Sequence, residues 1–322
     1  MKTHLAIDFG GTRSRAALFD DELRMLLRAE TSSKVGEGMG AGLKRLIDLS
    51  KSLIEPSTKP ASIGIAAPGP LDAEAGVIIR ARTLPGWSDV PLAKTISGAF
   101  DNLPTFLQND ANLGALAEYH LGAGQGADPM IYLTISTGLG GGAIINGQLF
   151  TGWRSHAIEP GHMRFSLPDG SHPRWEELVS GTALGDWARH RLRATDSASS
   201  LRDLPHVDGS AVGAAALDRD PLALDIVAQA GRWLGLGLVN LLHLFNPAAI
   251  VIGGSASKLD DLLLDPARAI IRQHILHDDF YYDGLIRPAA FAEDICLVGA
   301  ALHAKLQLGG SVSGWGWGRA SD

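Results

Sequence analysis

An α/β protein of two related lobes is the fold class this sequence predicts, and three observations predict it. Apolar strands alternate with stretches of helical periodicity along nearly the whole chain. A glycine-bearing turn between two apolar strands occurs twice, at Gly10-Gly11-Thr12 and at residues 138–142. The length, 322 residues, can bury one large core or two moderate ones, and two is the better expectation.

Leu5-Ala6-Ile7-Asp8 is a short apolar strand that ends in an acid. A second strand over 14–19 turns at Asp20-Asp21 into a third over 24–30, which makes a meander. Leu43, Leu46, Ile47 and Leu53 share one helical face, so a helix is expected over 42–54. A strand over 62–67 is closed by Pro68-Gly69-Pro70; a hairpin arm at 76–79 leads to the loop Leu84-Pro85-Gly86-Trp87. Thr105-Phe106-Leu107 then stops at Gln108-Asn109-Asp110, and Leu113, Leu116 and Ala117 follow at helical spacing.

The pattern restarts with a strand over 131–136, a glycine loop over 138–142 and a strand at Ala143-Ile144-Ile145. Asn146-Gly147 is a strong two-residue hairpin signal. Helices are expected over 175–193, 210–218, 222–245 and 259–276, with a strand over 248–252 running into Gly253-Gly254-Ser255. The tail 309–322, rich in Gly and Ser and carrying Trp315 and Trp317, reads as disordered.

Composition narrows the function. A net charge of −7 with no basic stripe argues against a nucleic-acid partner. The single cysteine, Cys296, rules out an intrachain disulfide and suits a reducing cytoplasm. Its neighbours Ile295, Leu297 and Val298 are apolar, so a buried inert thiol is expected. Residues 1–8 hold no apolar signal core. The apolar run 234–252 is broken by Asn240, His243, Asn246 and Pro247, where a membrane span needs roughly 18 uninterrupted apolar residues. It reads as a buried helix and a strand, and a soluble cytoplasmic protein is expected, with no membrane partner.

Four clusters could carry chemistry. Asn109 and Asp110 stand where a strand hands over to a helix, the edge at which open α/β sheets bind ligands. Asp110 there can act as a general base with Asn109 bonding a polyol; taken alone, the pair reads as an Asx helix cap. In Asp8-Phe9-Gly10-Gly11-Thr12, bare backbone amides can cradle a phosphate, and Asp8 can hold a hydrated magnesium ion nearby. Ser136-Thr137-Gly138-Leu139-Gly140-Gly141-Gly142 offers a second cradle. Gly138, Gly140 and Ala143 also fit a dinucleotide fingerprint, but that motif opens a helix and this one opens a hairpin. The P-loop pattern is absent. Glu159-Pro160-Gly161-His162 is a polar loop, since Pro and Gly argue against a helix; alone it reads as a surface turn. His156, His162 and His172 raise a metal site, yet no H-E-x-x-H or Cys-rich spacing supports zinc. His243 reads as a satisfied core histidine.

Taken together, residues 5–306 resemble the ROK family of sugar kinases, bacterial glucokinases above all. Asp8-Phe9-Gly10-Gly11-Thr12 is similar to the family's first phosphate motif, and Thr137, Gly138, Gly140 and Gly141 fall in its second. Ile65-Ala66-Ala67-Pro68-Gly69-Pro70-Leu71-Asp72 looks like its G-x-P-G segment, which puts Gly69 beside the sugar. Asn109-Asp110-Ala111-Asn112 with Glu118 matches the segment carrying the catalytic Asp and a sugar-binding Asn. Glu159 and His162 match sugar-binding positions, and Val251-Ile252-Gly253-Gly254-Ser255 matches the adenosine-side loop.

One departure is plain: relatives carry three zinc-binding cysteines where this chain has Leu167, Asp169 and Arg174. The closing sugar-facing carboxylate is kept as Glu176. No structural zinc is therefore expected, with the loop held by Phe165, Leu167 and Trp175 and by an Arg174–carboxylate pair.

The resemblance implies an actin-like, ribonuclease-H-like fold, two α/β lobes over an active-site cleft. The expected lobes are 1–116 plus 297–322, and 117–296. It implies ATP and Mg2+ as phosphoryl donor and metal, a homodimer, and a chain that is not a repressor, since repressors of the family carry an N-terminal DNA-binding domain. The expected reaction phosphorylates a hexose, foremost the 6-hydroxyl of glucose. The alternatives are N-acetylmannosamine, N-acetylglucosamine or fructose as acceptor, or a sugar-binding regulator without catalysis.

Overall fold

A computed structural model describes residues 2–55, 59–81 and 83–311; Trp315 and Trp317 of the tail lie outside the described residues. The chain divides into two compact units. One comprises Met1–Gln125, Leu149–Ala157 and Glu293–Asp322, the other Gly126–Gln148 and Ile158–Ala292. The first division thus falls after residue 125 rather than at 116, because 110–121 is one unbroken helix that packs within the first unit.

The first unit contains β1 (Thr3–Phe9), β2 (Arg13–Asp20), β3 (Met25–Ser32), α1 (Met39–Lys51), β4 (Ser62–Ala67), β5 (Leu71–Asp72), β6 (Val77–Arg80), β7 (Ser88–Val90), α2 (Leu92–Ala99), β8 (Thr105–Asn109) and α3 (Asp110–Leu121). Its main sheet has the order β3-β2-β1-β4-β8, antiparallel across β1, β2 and β3 and parallel across β1, β4 and β8. β4 is buried along its whole length, which is why Ser62-Ile63-Gly64-Ile65-Ala66-Ala67 reads as a continuous small or apolar run. β5, β6 and β7 form a small antiparallel sheet.

The second unit repeats the plan. It contains β9 (Met130–Ile135), β10 (Leu139–Ile145), the first residue of β11 (Gln148–Leu149), α4 (Glu176–Val179), α5 (Gly181–Ala194), α6 (Gly209–Leu217), α7 (Pro221–Phe245), β12 (Ala249–Gly253), α8 (Asp261–His274) and β13 (Ile286–Pro288). The sheet order is β11-β10-β9-β12-β13, with β9 antiparallel to β10 and parallel to β12. Asn146 and Gly147 both take positive φ, the signature of the tight hairpin turn. The chain then returns to the first unit as α9 (Ile295–Gln307).

α7 is long and apolar enough to pass for a membrane span, yet its apolar face, from Leu222 to Leu242, lies in the core of its unit. Asp220 caps it by accepting from Leu222 N and Ala223 N; Pro221 opens it, and Asn246 ends it in the left-handed region.

The structure corrects four local readings. The expected helix over 175–193 is two helices, because Ser180 is extended and its hydroxyl caps α5 through Ala183 N. The glycine loop 138–142 is mostly strand: Gly140, Gly141 and Gly142 pair with Thr134, Leu133 and Tyr132, which leaves the turn at 136–138. Pro160–His162 is one turn of 3-10 helix rather than an irregular loop, with proline at the position where a missing N–H is harmless. The helix expected over 259–276 is shorter: 255–259 is 3-10 and α8 ends at His274.

Candidate active site

In the first unit, β1, β4 and β8 run parallel side by side, so their carboxyl ends share one sheet edge. Asp8 comes off the end of β1, Gly69 just after β4, and Asn109 and Asp110 off β8. The Asp8 side chain is 15% exposed, and its Oδ2 accepts from Arg15 Nη1 at 3.4 Å. Burial pushes the Asp8 carboxyl up to about 7; Arg15 pulls it down, and the neighbouring Asp110 pushes it further up. Two acids that disfavour each other's charge, both hard oxygen donors, fit a hydrated divalent cation.

After Asp8 the backbone turns tightly, with Gly10 N donating to Arg13 O at 3.1 Å. A Cβ on Gly11 would stand 2.7 Å from the carbonyl oxygen of Thr83, so a side chain there collides with backbone. Thr12 is exposed at the tip.

Asn109 is the N-cap of α3, and its Oδ1 accepts from Ala111 N at 2.9 Å and Asn112 N at 3.3 Å. The side-chain amide oxygen is thereby committed, and what Asn109 presents onward is its NH2 group. Asp110 is the first helical residue, and one carboxylate oxygen accepts from Ala111 N at 2.8 Å. The cap reading of this pair holds on Asn109, whose side chain closes the first turn of α3. Beneath them, buried Gln108 accepts from Asn109 N at 2.8 Å and from Asn112 Nδ2 at 3.2 Å, pinning strand to helix. The thiol of Cys296 lies 3.9 Å from the Asp110 carbonyl oxygen, and burial, with Asp8 and Asp110 nearby, raises it well above its usual range. The residue is half-buried, and a thiol raised in this way stays protonated at neutral pH.

In the second unit, β9 and β12 are parallel neighbours, so Ser136-Thr137-Gly138 and Gly253-Gly254 share a carboxyl edge. The turn is tied to the start of α5: Gly181 N donates to Ser136 O at 2.7 Å, and the Thr182 hydroxyl donates to Thr137 O at 2.7 Å. Gly254 has φ +87°, and a Cβ there would lie 2.4 Å from the Ile135 carbonyl oxygen, so only glycine fits against the end of β9.

Glu159 and His162 are both exposed and flank the buried Pro160-Gly161. The glycines of β10 explain that turn's position. A Cβ on Gly141 would meet Pro160 Cγ at 2.7 Å, and one on Gly161 would meet Leu139 O at 2.1 Å. Sequence reasoning took these glycines for a loop and missed that they bring the Glu159–His162 turn down onto the strand. Glu176 opens α4, and its Oε2 lies 3.1 Å from where a Gly138 Cβ would stand. Thus Glu176 sits against the 136–138 turn.

The loop between His162 and Glu176 is a short hairpin. Trp175 N donates to Met163 O at 2.7 Å, Phe165 N to Pro173 O at 3.0 Å, and Leu167 N to Ser171 O at 2.9 Å. Trp175 is fully buried, lies tilted against Phe165 with ring centroids 6.3 Å apart, and donates from Nε1 to Trp233 O at 2.9 Å. The residues do not fit zinc. Leu167 has no donor atom, Asp169 accepts from the Ser171 hydroxyl at 2.6 Å, and Arg174 is paired to Glu176 and Glu177. Among the described residues, no three His, Cys, Asp or Glu side chains are grouped to hold a metal.

The family model described as "ROK family" matches residues 4–307. The chain belongs to the ROK family. A glucokinase from Streptomyces coelicolor is 31% identical over 312 residues, which cover 92% of this chain and 96% of the relative. The crystal structure of a ROK family glucokinase from Streptomyces griseus, in complex with glucose and AMPPNP, superposes with a TM-score of 0.80 at 32% identity and covers 94% of this chain and 99% of that one. A xylose repressor from Caldicellulosiruptor bescii is 30% identical over 292 residues, 86% of this chain and 72% of the repressor. The fold is the actin-like α/β fold of two lobes expected from the motifs.

Proposed function

We propose that this protein is an ATP-dependent hexose kinase that transfers the γ-phosphoryl group of ATP to a sugar hydroxyl, with the 6-hydroxyl of glucose as the acceptor. The observation that carries the reading is Asp110, a carboxylate held at the first turn of α3, one residue past the end of β8, beside Asn109 and Asp8. The likeness to glucokinases from two Streptomyces species supports the choice of reaction and sugar.

In this reading Asp110 accepts the proton of the attacking hydroxyl as the sugar oxygen bonds to phosphorus and the bond to the β-phosphate bridging oxygen breaks, releasing ADP. The Asn109 amide group donates to a sugar hydroxyl, and Glu159, His162 and Glu176 bond others. A bound and oriented hydroxyl needs no covalent enzyme intermediate. Gly10 closes its turn through its own N–H, and the backbone amides at Gly11 and Thr12, and at Thr137 and Gly138 with Gly140 and Gly141 behind them, face the phosphates. The Gly253-Gly254 turn, packed against Tyr132 and the end of β9, borders the nucleoside. Asp8 would hold a hydrated magnesium ion, which would supply charge neutralisation of the phosphates. We place the enzyme in the cytoplasm, where ATP and hexoses meet.

The experiment is ADP release measured with ATP, magnesium and a panel of glucose, fructose, N-acetylglucosamine and N-acetylmannosamine. Turnover with glucose at the highest kcat/KM is expected, and no turnover with any hexose would overturn the reading. The repressor relative favours one other reading, a sugar-responsive regulator. In that case hexose would bind in calorimetry without ADP release.

A further inference from the structure

Arg174 stands at the end of the His162 hairpin and reaches two carboxylates at once. Its Nη1 lies 2.5 Å from Glu176 Oε1 and its Nη2 lies 2.7 Å from Glu177 Oε1. The backbone N–H of Arg174 also donates to Glu177, at Oε2, 2.8 Å away. Glu177 is therefore held from both the main chain and the side chain of Arg174, which fixes the plane of the guanidinium. With one arm anchored, the other arm is aimed at Glu176.

The backbone around this fork is tied on both sides. Arg174 pairs with Arg164 in an antiparallel bridge, and the next residue is the fully buried Trp175. The side chains of Arg174 and Glu176 are 16% and 21% exposed, so the pair is only partly screened by water. The two oxygens of Glu176 have different surroundings. Oε1 is taken by Arg174, while Oε2 lies toward the Thr137–Gly138 turn. A planar fork that binds one oxygen of a carboxylate sets both its charge and its orientation.

We propose, on the kinase reading above, that Arg174 is a positioning residue for sugar specificity: by ion pairing it locks the hairpin between His162 and α4 and aims Glu176 at a sugar hydroxyl. The hairpin between His162 and Glu176 carries no cysteine and is closed by a guanidinium fork. Hexose recognition should then depend on Arg174, and nucleotide recognition should not.

The test is calorimetric binding of glucose without ATP, and of an ATP analogue without glucose, to Arg174→Ala, Arg174→Lys and Glu177→Gln. Arg174→Ala should weaken glucose binding about tenfold or more, with the nucleotide Kd within about twofold of the parent. Lysine, a point charge that cannot span both carboxylates, should restore only part of the affinity. Glu177→Gln, which loosens the anchor without touching Glu176, should give an intermediate loss and serves if the alanine variant does not fold. Unchanged glucose affinity in Glu177→Gln together with Arg174→Lys would overturn the proposal, as would an equal loss for both ligands. Because binding is read without turnover, a wild-type protein that binds glucose yet releases no ADP would count against the kinase reading alone.

Discussion

Asn109 does two things with two different atoms, and that makes it separable. Its amide oxygen caps α3 through Ala111 N and Asn112 N, while its NH2 group is the donor proposed for the sugar. Asn109→Ser keeps a good N-cap and loses the amide donor. Its melting temperature should stay within the shift of about 1 kcal/mol, while glucose KM rises about tenfold. A large fall in stability with unchanged KM would mean that Asn109 is only a cap. Asp110 shows how much of the site was legible: a strand stopping at Gln108-Asn109-Asp110 announced a sheet edge, and the structure puts it there. Arg15 was not legible. Nothing in the sequence of β2 marks it as the partner of Asp8, because the pairing depends on the cross-strand register of Asp8 with Arg15.

At the scale of elements, the readable ones carried a clean period and the hidden ones did not. α9 escaped because Ile295-Cys296-Leu297-Val298-Gly299-Ala300-Ala301 is apolar all round and shows no helical stripe. Its small residues are the reason it fits: a Cβ on Gly64 would lie 1.9 Å from Ala300 O, and one on Gly299 would lie 2.2 Å from Leu113 O, so strand, α9 and α3 meet backbone to backbone. Ser180 hid the break between α4 and α5, since serine is read from sequence as tolerable inside a helix.

α9 also carries a titratable residue with a checkable consequence. Burial lowers the His303 imidazole to about 4, and its ring stands edge-on to Phe106 at 6.3 Å. The unfolded chain takes up that proton near pH 6.5, before the folded one does. Stability is therefore complete above pH 6.5 and declines as pH falls towards 4, by about 3 kcal/mol in full. Denaturant unfolding of His303→Gln should lack that part of the acid slope. An identical pH dependence in parent and variant would contradict a neutral, buried His303.

For the whole molecule, the two sheets share one strand plan, β3-β2-β1-β4-β8 and β11-β10-β9-β12-β13, and the repeat was visible because each half opens with a strand, a glycine turn and a second strand. What the repeat did not reveal is how each turn is used. Gly11 closes on the Thr83 backbone, whereas Gly138 faces the Glu176 side chain. The hairpin at 163–175 gives a whole-protein prediction, since hydrogen bonds and the Arg174 fork hold it. Chelation of transition metals, with magnesium kept in excess, should leave melting temperature and turnover unchanged, and about one tightly held zinc per chain by elemental analysis would contradict this.

The most direct test of the kinase account is ADP release from ATP and glucose by Asp110→Asn beside the parent protein, with glucose binding measured in parallel. The account predicts a fall in kcat of about 100-fold or more with glucose affinity and folding retained. Turnover near the parent rate would contradict it.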